Sequence, residues 1–322
     1  MKTIVNLLGY TPSSPADNPQ AAASNAQYLT YEILADGTLE ITGISGDYPQ
    51  DFEIPQEIDE HIITSIGKYA FSDCSNLMSV IIPNSVISIG NNAFEDCSNL
   101  TRVTIPNSVT SIDYNAFSCC SSLTSVTIPN SVTRIGDAAF YFCNSLTSVT
   151  IPDSVTSIGG APFSACMKLT KIIVDSGNSS FCSDNGVLLD KAKTKLIQCP
   201  AGMTGTYAIP SGVTDIGVAS FIDCSSLMSV TIPNSVTNID DHAFVGCISL
   251  TRVMIPNSVT SIGQYAFYNC SSLTSVTIPN SVISIADDAF TDCNSLISVI
   301  VDRGSYAENY CKSNGLKFTY AR

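Results

Sequence analysis

Thirteen cysteines, two histidines and an abundance of serine are what this chain offers for chemistry. Cysteines paired at short spacing would bind zinc or exchange disulfides, and a Ser or Cys set beside a His would make a nucleophile. Nine cysteines recur instead at one fixed place. Cys74, Cys97, Cys120, Cys143, Cys166, Cys224, Cys247, Cys270 and Cys293 each stand three residues after a phenylalanine, at Phe71, Phe94, Phe117, Phe140, Phe163, Phe221, Phe244, Phe267 and Phe290. Such columns read as stacked buried residues, because free Cys packs like a compact hydrophobe and parallel side-chain vectors disfavour bridging. The thiols are therefore expected to be free and structural. Cys119, beside Cys120, takes a variable and exposed position. Cys182 and Cys199 lie near the two ends of an interruption in the pattern, where a disulfide and two unpaired thiols both fit, the second being preferred. His61 and His242 sit in no constellation, serine follows the same period as everything else, and neither a Gly-rich phosphate loop nor an HExxH motif occurs. The expectation is no catalytic residue, no metal ligand and no cofactor.

The period itself is read from the dipeptide Ile-Pro, which recurs at Pro83, Pro106, Pro129 and Pro152 and again at Pro210, Pro233, Pro256 and Pro279, in steps of 23 (106 − 83 = 23). Asp175 occupies the expected proline place between the two runs, and one unit is longer by 12 residues (210 − 152 = 58 = 23 + 35). The twelve residues SSLTSVTIPNSV accordingly occur twice, 150 residues apart, at Ser121 and Ser271 (150 = 6 × 23 + 12). Within one unit, Leu123, Val126 and Ile128 point inward from a short strand while Thr124, Ser125 and Thr127 face water. Pro129, Asn130 and Ser131 turn the chain, Val132 and Ile135 form a second inward pair, and Ala139, Phe140 and Cys143 bury one face of a short helical turn. One unit cannot bury that much apolar surface alone. Stacked units can, at about 4.8 Å per strand.

The pattern Leu-x-x-Val-x-Ile-Pro-x-x-Val-x-x-Ile-Gly-x-x-Ala-Phe-x-x-Cys resembles the BspA-type leucine-rich repeat of bacterial surface proteins, and the resemblance covers about Tyr28 to Arg322. It implies a repeat solenoid: a right-handed leucine-rich-repeat superhelix with a parallel β-sheet, short helical turns and a 23-residue period. It also implies, more loosely, adhesion or host-protein binding, with no catalytic residues to carry over.

The remaining segments are assigned around that rod. Residues 1–27, rich in Pro, Ala, Ser and Asn, are expected to be a flexible leader without a convincing signal-peptide core. Residues 28–53 form an N-terminal hairpin cap turning at Asp36-Gly37, followed by repeats over 54–175. Residues 176–208 are expected to be a hairpin projecting from the rod, with repeats resuming over 209–301 and a C-terminal cap over 302–322. A formal charge of −14 with only 14 Lys and Arg argues against a general nucleic-acid partner. No stretch is long and apolar enough to span a bilayer.

Candidate binding residues come from comparing the units with one another. Outward strand positions are monotonous hydroxyls, with Thr104, Thr127 and Thr150 as a ladder suited to a repetitive glycan; Arg102, Lys171 and Arg252, with Met78, Met228 and Met254, are the exceptions. Variation concentrates near the phenylalanine, where Tyr114, Tyr141 and Tyr265 stand among acids. Lys191, Lys193 and Lys195 alternate in the interruption, which would place them on one strand face for an acidic partner. Plain solvated faces account for all three sets as well. The leading expectation is a non-enzymatic module that binds a host or extracellular-matrix protein or a glycan and is secreted or displayed on a microbial cell; the alternative is a cytoplasmic scaffold for protein–protein contacts, favoured by the many thiols.

Overall fold

In the computed structural model, which describes residue 22 and residues 24–321, the chain winds into a parallel β-solenoid. Each 23-residue coil contributes to two parallel ladders. The first, here the long sheet, runs from Asp51–Glu53 through Ser79–Ile81 and Arg102–Thr104, continues at Ser148–Ile151 and Lys171–Val174, and resumes from Gly205–Ala208 to Phe318–Tyr320. Its register steps by one period, Ser79 opposite Arg102 and Arg252 opposite Ser275. The second ladder consists of two-residue strands at the inward isoleucine, such as Ser88–Ile89, Ser111–Ile112 and Arg134–Ile135. The inward and outward assignment of the unit holds: Leu123, Val126, Ile128, Val132 and Ile135 are buried, and Thr124, Ser125 and Thr127 are exposed.

The segment around each phenylalanine differs from the short helical turn expected. It is a chain of overlapping turns whose amides point along the stacking axis: Tyr69, Phe71 and Asp73 donate to the carbonyls of Asn91, Ala93 and Glu95 in the next coil, at 3.1, 2.7 and 2.8 Å. Two residues four apart take positive φ in coil after coil, as at Tyr69 and Asp73 (both 60°) or Asn92 and Asp96 (both 57°). A left-handed residue of this kind costs roughly 1–2 kcal/mol. The cost is offset because each such turn frees an N–H for a bond to the next coil, which a helix would spend on itself.

The phenylalanines form two stacks, Phe71 to Phe163 and Phe221 to Phe290, with neighbouring ring centroids 4.7–5.5 Å apart. All nine rings are buried. The cysteine column lies beside them, and seven of its nine thiols donate to the phenylalanine carbonyl one coil back, such as Cys97 to Phe71 at 3.0 Å and Cys143 to Phe117 at 3.2 Å, while Cys224 reaches the Pro200 carbonyl at 3.7 Å. Burial pushes the Cys143 and Cys247 thiols well up, which keeps them protonated as donors. Cys74, Cys97, Cys120, Cys143, Cys166, Cys224, Cys247 and Cys270 are buried and Cys293 is half-buried.

Both ends are covered. Leu29–Ile33 pairs antiparallel with Leu39–Ile44, turning at Asp36-Gly37, and Leu39–Ile44 pairs parallel with His61–Ile66, the start of the second ladder. His61 Nδ1 reaches the Gly37 carbonyl at 2.7 Å. Tyr28 and Tyr48 meet Phe52 edge-on, and Phe52 meets Phe71 edge-on, which ends the ring stack. Asn25 donates to the Glu53 carbonyl, so the last part of the expected leader is packed on this cap; residues 1–21 and 23 of it lie outside the described residues. At the far end the helix Tyr306–Ser313 sets Tyr310 edge-on to Phe290, and Phe318–Tyr320 pairs with Ser298–Val301.

The interruption does not project. Phe181–Asp184, Val187–Asp190 and Lys195–Gln198 form an antiparallel meander whose third strand joins the second ladder, Lys195 and Leu196 opposite Asp215 and Ile216. Val187, Leu188, Leu189, Leu196 and Cys199 are fully buried, Leu188 in the core of the N-terminal coils and the others in the core of the C-terminal coils. A strand buried on both faces shows no polar alternation, so three consecutive apolar residues were the signal for this placement.

Candidate binding face

Stacking commits most of the hydroxyls that line the coils. In the first outward row of the long sheet, Thr101 donates to the Met78 carbonyl at 2.9 Å and Thr124 to Thr101 at 3.3 Å, each one coil back. The same bond recurs beside the second ladder, Thr133 to Thr110 at 3.2 Å and Thr260 to Thr237 at 3.3 Å. The turn serines repeat it too, with Ser131 donating to Val109 at 2.6 Å. These side chains hold coils together. Thr104, Thr127 and Thr150, in the third outward row, are exposed and their hydroxyls have no protein partner among the described residues.

The middle outward row carries the charge. Reading along the sheet it is Ser79, Arg102, Ser125, Ser148, Lys171, then Thr206, Ser229, Arg252, Ser275, Ser298 and Lys317. Arg102, Lys171, Arg252 and Lys317 are exposed, and no carboxylate lies within ion-pair distance of them among the described residues. From Ser79 to Thr319 the three outward rows hold no acid, although the chain has 28 Asp and Glu. Met228 and Met254 add apolar spots, 54% and 67% exposed.

Asp51 and Glu53 end that face on its first strand, and most other acids stand elsewhere. Asp73, Asp96, Asp223 and Asp292 occupy the turn ridge near the phenylalanines. Asp240, Asp241, Asp287 and Asp288 line a groove of ≈ 660 Å³ with Gln264 and Ser261. Burial, and then Asp215, raise the Asp240 carboxyl above its ordinary value. On the same ridge Tyr114 is exposed, Tyr141 is half-buried with its phenol pushed up by burial and by Asp223, and Tyr265 stands 5.4 Å from His242 with its phenol raised by a hydrogen bond to Asp288. The tyrosine set and the threonine set therefore belong to different faces. Among the described residues no group of three or more His, Cys, Asp and Glu could hold a metal ion, and no helix is long and apolar enough to cross a membrane.

The three lysines do not share a strand face. The Asp190 carboxylate accepts from the amides of Thr194 and Lys195 and from the Thr194 hydroxyl, closing a tight turn that contains Lys191 and Lys193, the latter at φ 55°. Lys191 then donates to the Asn178 carbonyl, Lys193 pairs with Asp184 at 3.7 Å, and Lys195 pairs with Asp215 at 3.6 Å. Alternation in sequence places residues on one face only where the backbone is extended. Cys182 donates to the Asp190 carbonyl, whereas Cys199 lies against Met203 Sδ at 3.6 Å. Lys317 was the cation that sequence reading missed. The Asn-Gly before it, matching the Asn185-Gly186 of the interruption, was the available signal.

The family model of the BspA type leucine rich repeat region matches residues 64–185 and 204–315, in six copies. The chain belongs to the BspA-type leucine-rich repeat family. The fold is shared with a leucine rich cell surface protein of Faecalibacterium prausnitzii, at 27% identity over 87% of this chain and 94% of that one, TM-score 0.51. A leucine-rich repeat protein of Eubacterium ventriosum matches at 26% identity over 87% and 78%, TM-score 0.61. The pneumococcal vaccine antigen PcpA has the same fold at 21% identity over 92% and 97%, TM-score 0.62. No curated protein matches. The BspA-type repeat region thus accounts for both runs of coils and leaves residues 186–203, at the heart of the interruption, outside the matched repeats.

Proposed function

We propose that this chain is a non-enzymatic binding module, secreted or displayed on a microbial cell, that takes a host or extracellular-matrix protein or glycan on the outward face of its long sheet. The observation that carries the reading is the contrast between that face and the rest of the surface. It is rigid, built on the stacked core, free of carboxylates beyond Asp51 and Glu53 on its first strand, and bears uncommitted threonine hydroxyls and four unpaired cations in a chain of net charge −14. The Faecalibacterium relative is named as a cell surface protein, which supports the location. A cytoplasmic scaffold is the second reading, favoured by the thirteen thiols, whose stacked column works as protonated donors.

The test is binding of the purified protein to an array of glycans and extracellular-matrix proteins, repeated with Thr127→Glu and Ser275→Glu on the long sheet and with Tyr114→Ala on the ridge. Binding to one class that the two sheet variants abolish and the ridge variant spares is the expected result. Silence across the array, with capture of intracellular proteins of the producing cell instead, would overturn the location and leave the scaffold.

A further inference from the structure

The middle row of the long sheet repeats itself. In the N-terminal coils it reads Ser79, Arg102, Ser125, Ser148, Lys171, and in the C-terminal coils Ser229, Arg252, Ser275, Ser298, Lys317. The serine and arginine positions are offset by 150 residues (229 − 79 = 252 − 102 = 150), whereas Val-Asp-x-Gly closes the Lys171 strand at Val174 but the Ser298 strand at Val301, one coil earlier in that count (301 − 174 = 127 = 150 − 23). Lys317 comes four residues early by that count (317 − 171 = 146), yet it directly precedes the strand that sets Phe318 opposite Val299, and its carbonyl accepts from the Val299 amide at 2.9 Å, which brings it beside Ser298 much as Lys171 pairs with Ser148. Within each block the Arg and the Lys are three strand steps apart, about 14 Å at the usual strand spacing.

We propose that this face binds an extended anionic polysaccharide laid along the stacking axis, held at two equivalent stations, Arg102 with Lys171 and Arg252 with Lys317. The inference rests on the sheet face being the binding surface and adds the chemistry of its ligand. Charge complementarity selects a polyanion: the four cations have no internal partner, and apart from Asp51 and Glu53 on the first strand the acids that would repel it stand on the turn ridge and in the groove. The shape of the face selects a repetitive chain. Its outward rows hold no aromatic residue, whereas a protein epitope is usually anchored by a few buried aromatic and Arg contacts. Sugar hydroxyls and ring oxygens would find Thr104, Thr127 and Thr150 unoccupied beside the first station.

The experiment measures binding of the intact chain to immobilised polygalacturonate and dextran sulfate, with neutral dextran and poly-glutamate as comparators. The wild type is set beside a quadruple variant, Arg102→Ser, Lys171→Ser, Arg252→Ser and Lys317→Ser, which installs the residue other coils carry there. The expected result is retention on one or both anionic polysaccharides, a fall of more than about tenfold in the quadruple variant, and about 10- to 100-fold weakening between ~50 and ~200 mM salt. A variant of the internally paired lysines, Lys193→Ser with Lys195→Ser, should bind like wild type. Retention on neutral dextran or on a matrix protein, unchanged in the quadruple variant, would overturn the polyanion while leaving the binding module standing. Preference for poly-glutamate would replace the polysaccharide with an acidic protein, and no binding to any polymer or array member would remove both readings.

Discussion

The two blocks of coils end alike and continue differently. After Val174-Asp175-Ser176-Gly177 comes a meander, and after Val301-Asp302-Arg303-Gly304 comes a helix; each then contains Cys-x-x-Asn-Gly, at Cys182 and at Cys311. The same Asn-Gly dipeptide does two jobs. Asn185 and Gly186 take φ 49° and 87° and close a two-residue hairpin, as mirror-image turns require. Asn314 instead caps the helix at φ −99°, with Gly315 at 66° and the Leu316 amide returning to the Cys311 carbonyl at 2.9 Å. What precedes the dipeptide decides. Ser305 accepts from the Glu308 amide and Glu308 from the Gly304 amide, so a helix starts there. Asn178 turns its side chain onto the Pro152 and Val155 carbonyls and accepts from Ser180 and Phe181, so the first block runs on as strand.

That comparison is sharpest where packing is deepest. Leu188→Ala should destabilise the chain by about 2–5 kcal/mol, close to the ~3–5 kcal/mol expected for Phe140→Ala inside a regular coil. Urea unfolding followed by circular dichroism measures both, and a near-zero value for Leu188→Ala would mean that the meander stands off the rod.

The glycines separate the two junctions next. Gly315→Ala should cost about 1–2 kcal/mol for its left-handed backbone alone, since nothing lies within 4 Å of the added carbon. Gly186→Ala should cost more, because its added carbon would meet Lys171 Cβ at 2.9 Å. Equal losses of melting temperature in the two variants would contradict that packing.

Smaller still, Ser305→Ala should remove about 1 kcal/mol by uncapping the terminal helix, read as faster amide exchange over residues 306–313 while the meander is unaffected. The smallest effect is one of pH. Hydrogen bonds from Lys312, the Gly304 amide and Tyr320 hold the Glu308 carboxyl down at about 2. A carboxyl depressed on folding stabilises fully above its unfolded value of about 4.3 and loses that contribution as pH falls toward the folded one. Protection factors over the helix, which divide out the intrinsic pH dependence of amide exchange, should therefore fall between pH ~4.5 and about 2, and Glu308→Gln should abolish that fall; unchanged protection in the wild type would show that these bonds do not hold the helix.

The binding surface was half legible in the same way. Thr104, Thr127, Thr150, Arg102, Lys171 and Arg252 stand out by comparing units, because the period fixes which side of a coil each residue takes. Which hydroxyls are spent between coils does not follow from the period, since Thr124 and Thr127 look alike until Thr124 is seen donating one coil back. The lysines of the interruption misled because an Asx turn at Asp190 breaks the extended chain that alternation presumes.

The sequence by itself determined the coil: its 23-residue period, its inward leucine, valine and isoleucine positions, the phenylalanine and cysteine columns, and the presence of a cap at each end. These follow from local pattern, because a residue's side of a strand depends on its neighbours in the chain. Tertiary structure alone decided the second ladder, the left-handed residues of the ridge, the threonine ties, the burial of the meander between two cores and the arrival of Lys317 beside the three cations that the period had already set on one face. Each of those depends on the coil stacked above or below, where an amide finds its acceptor and a side chain its neighbour some 20 or more residues away.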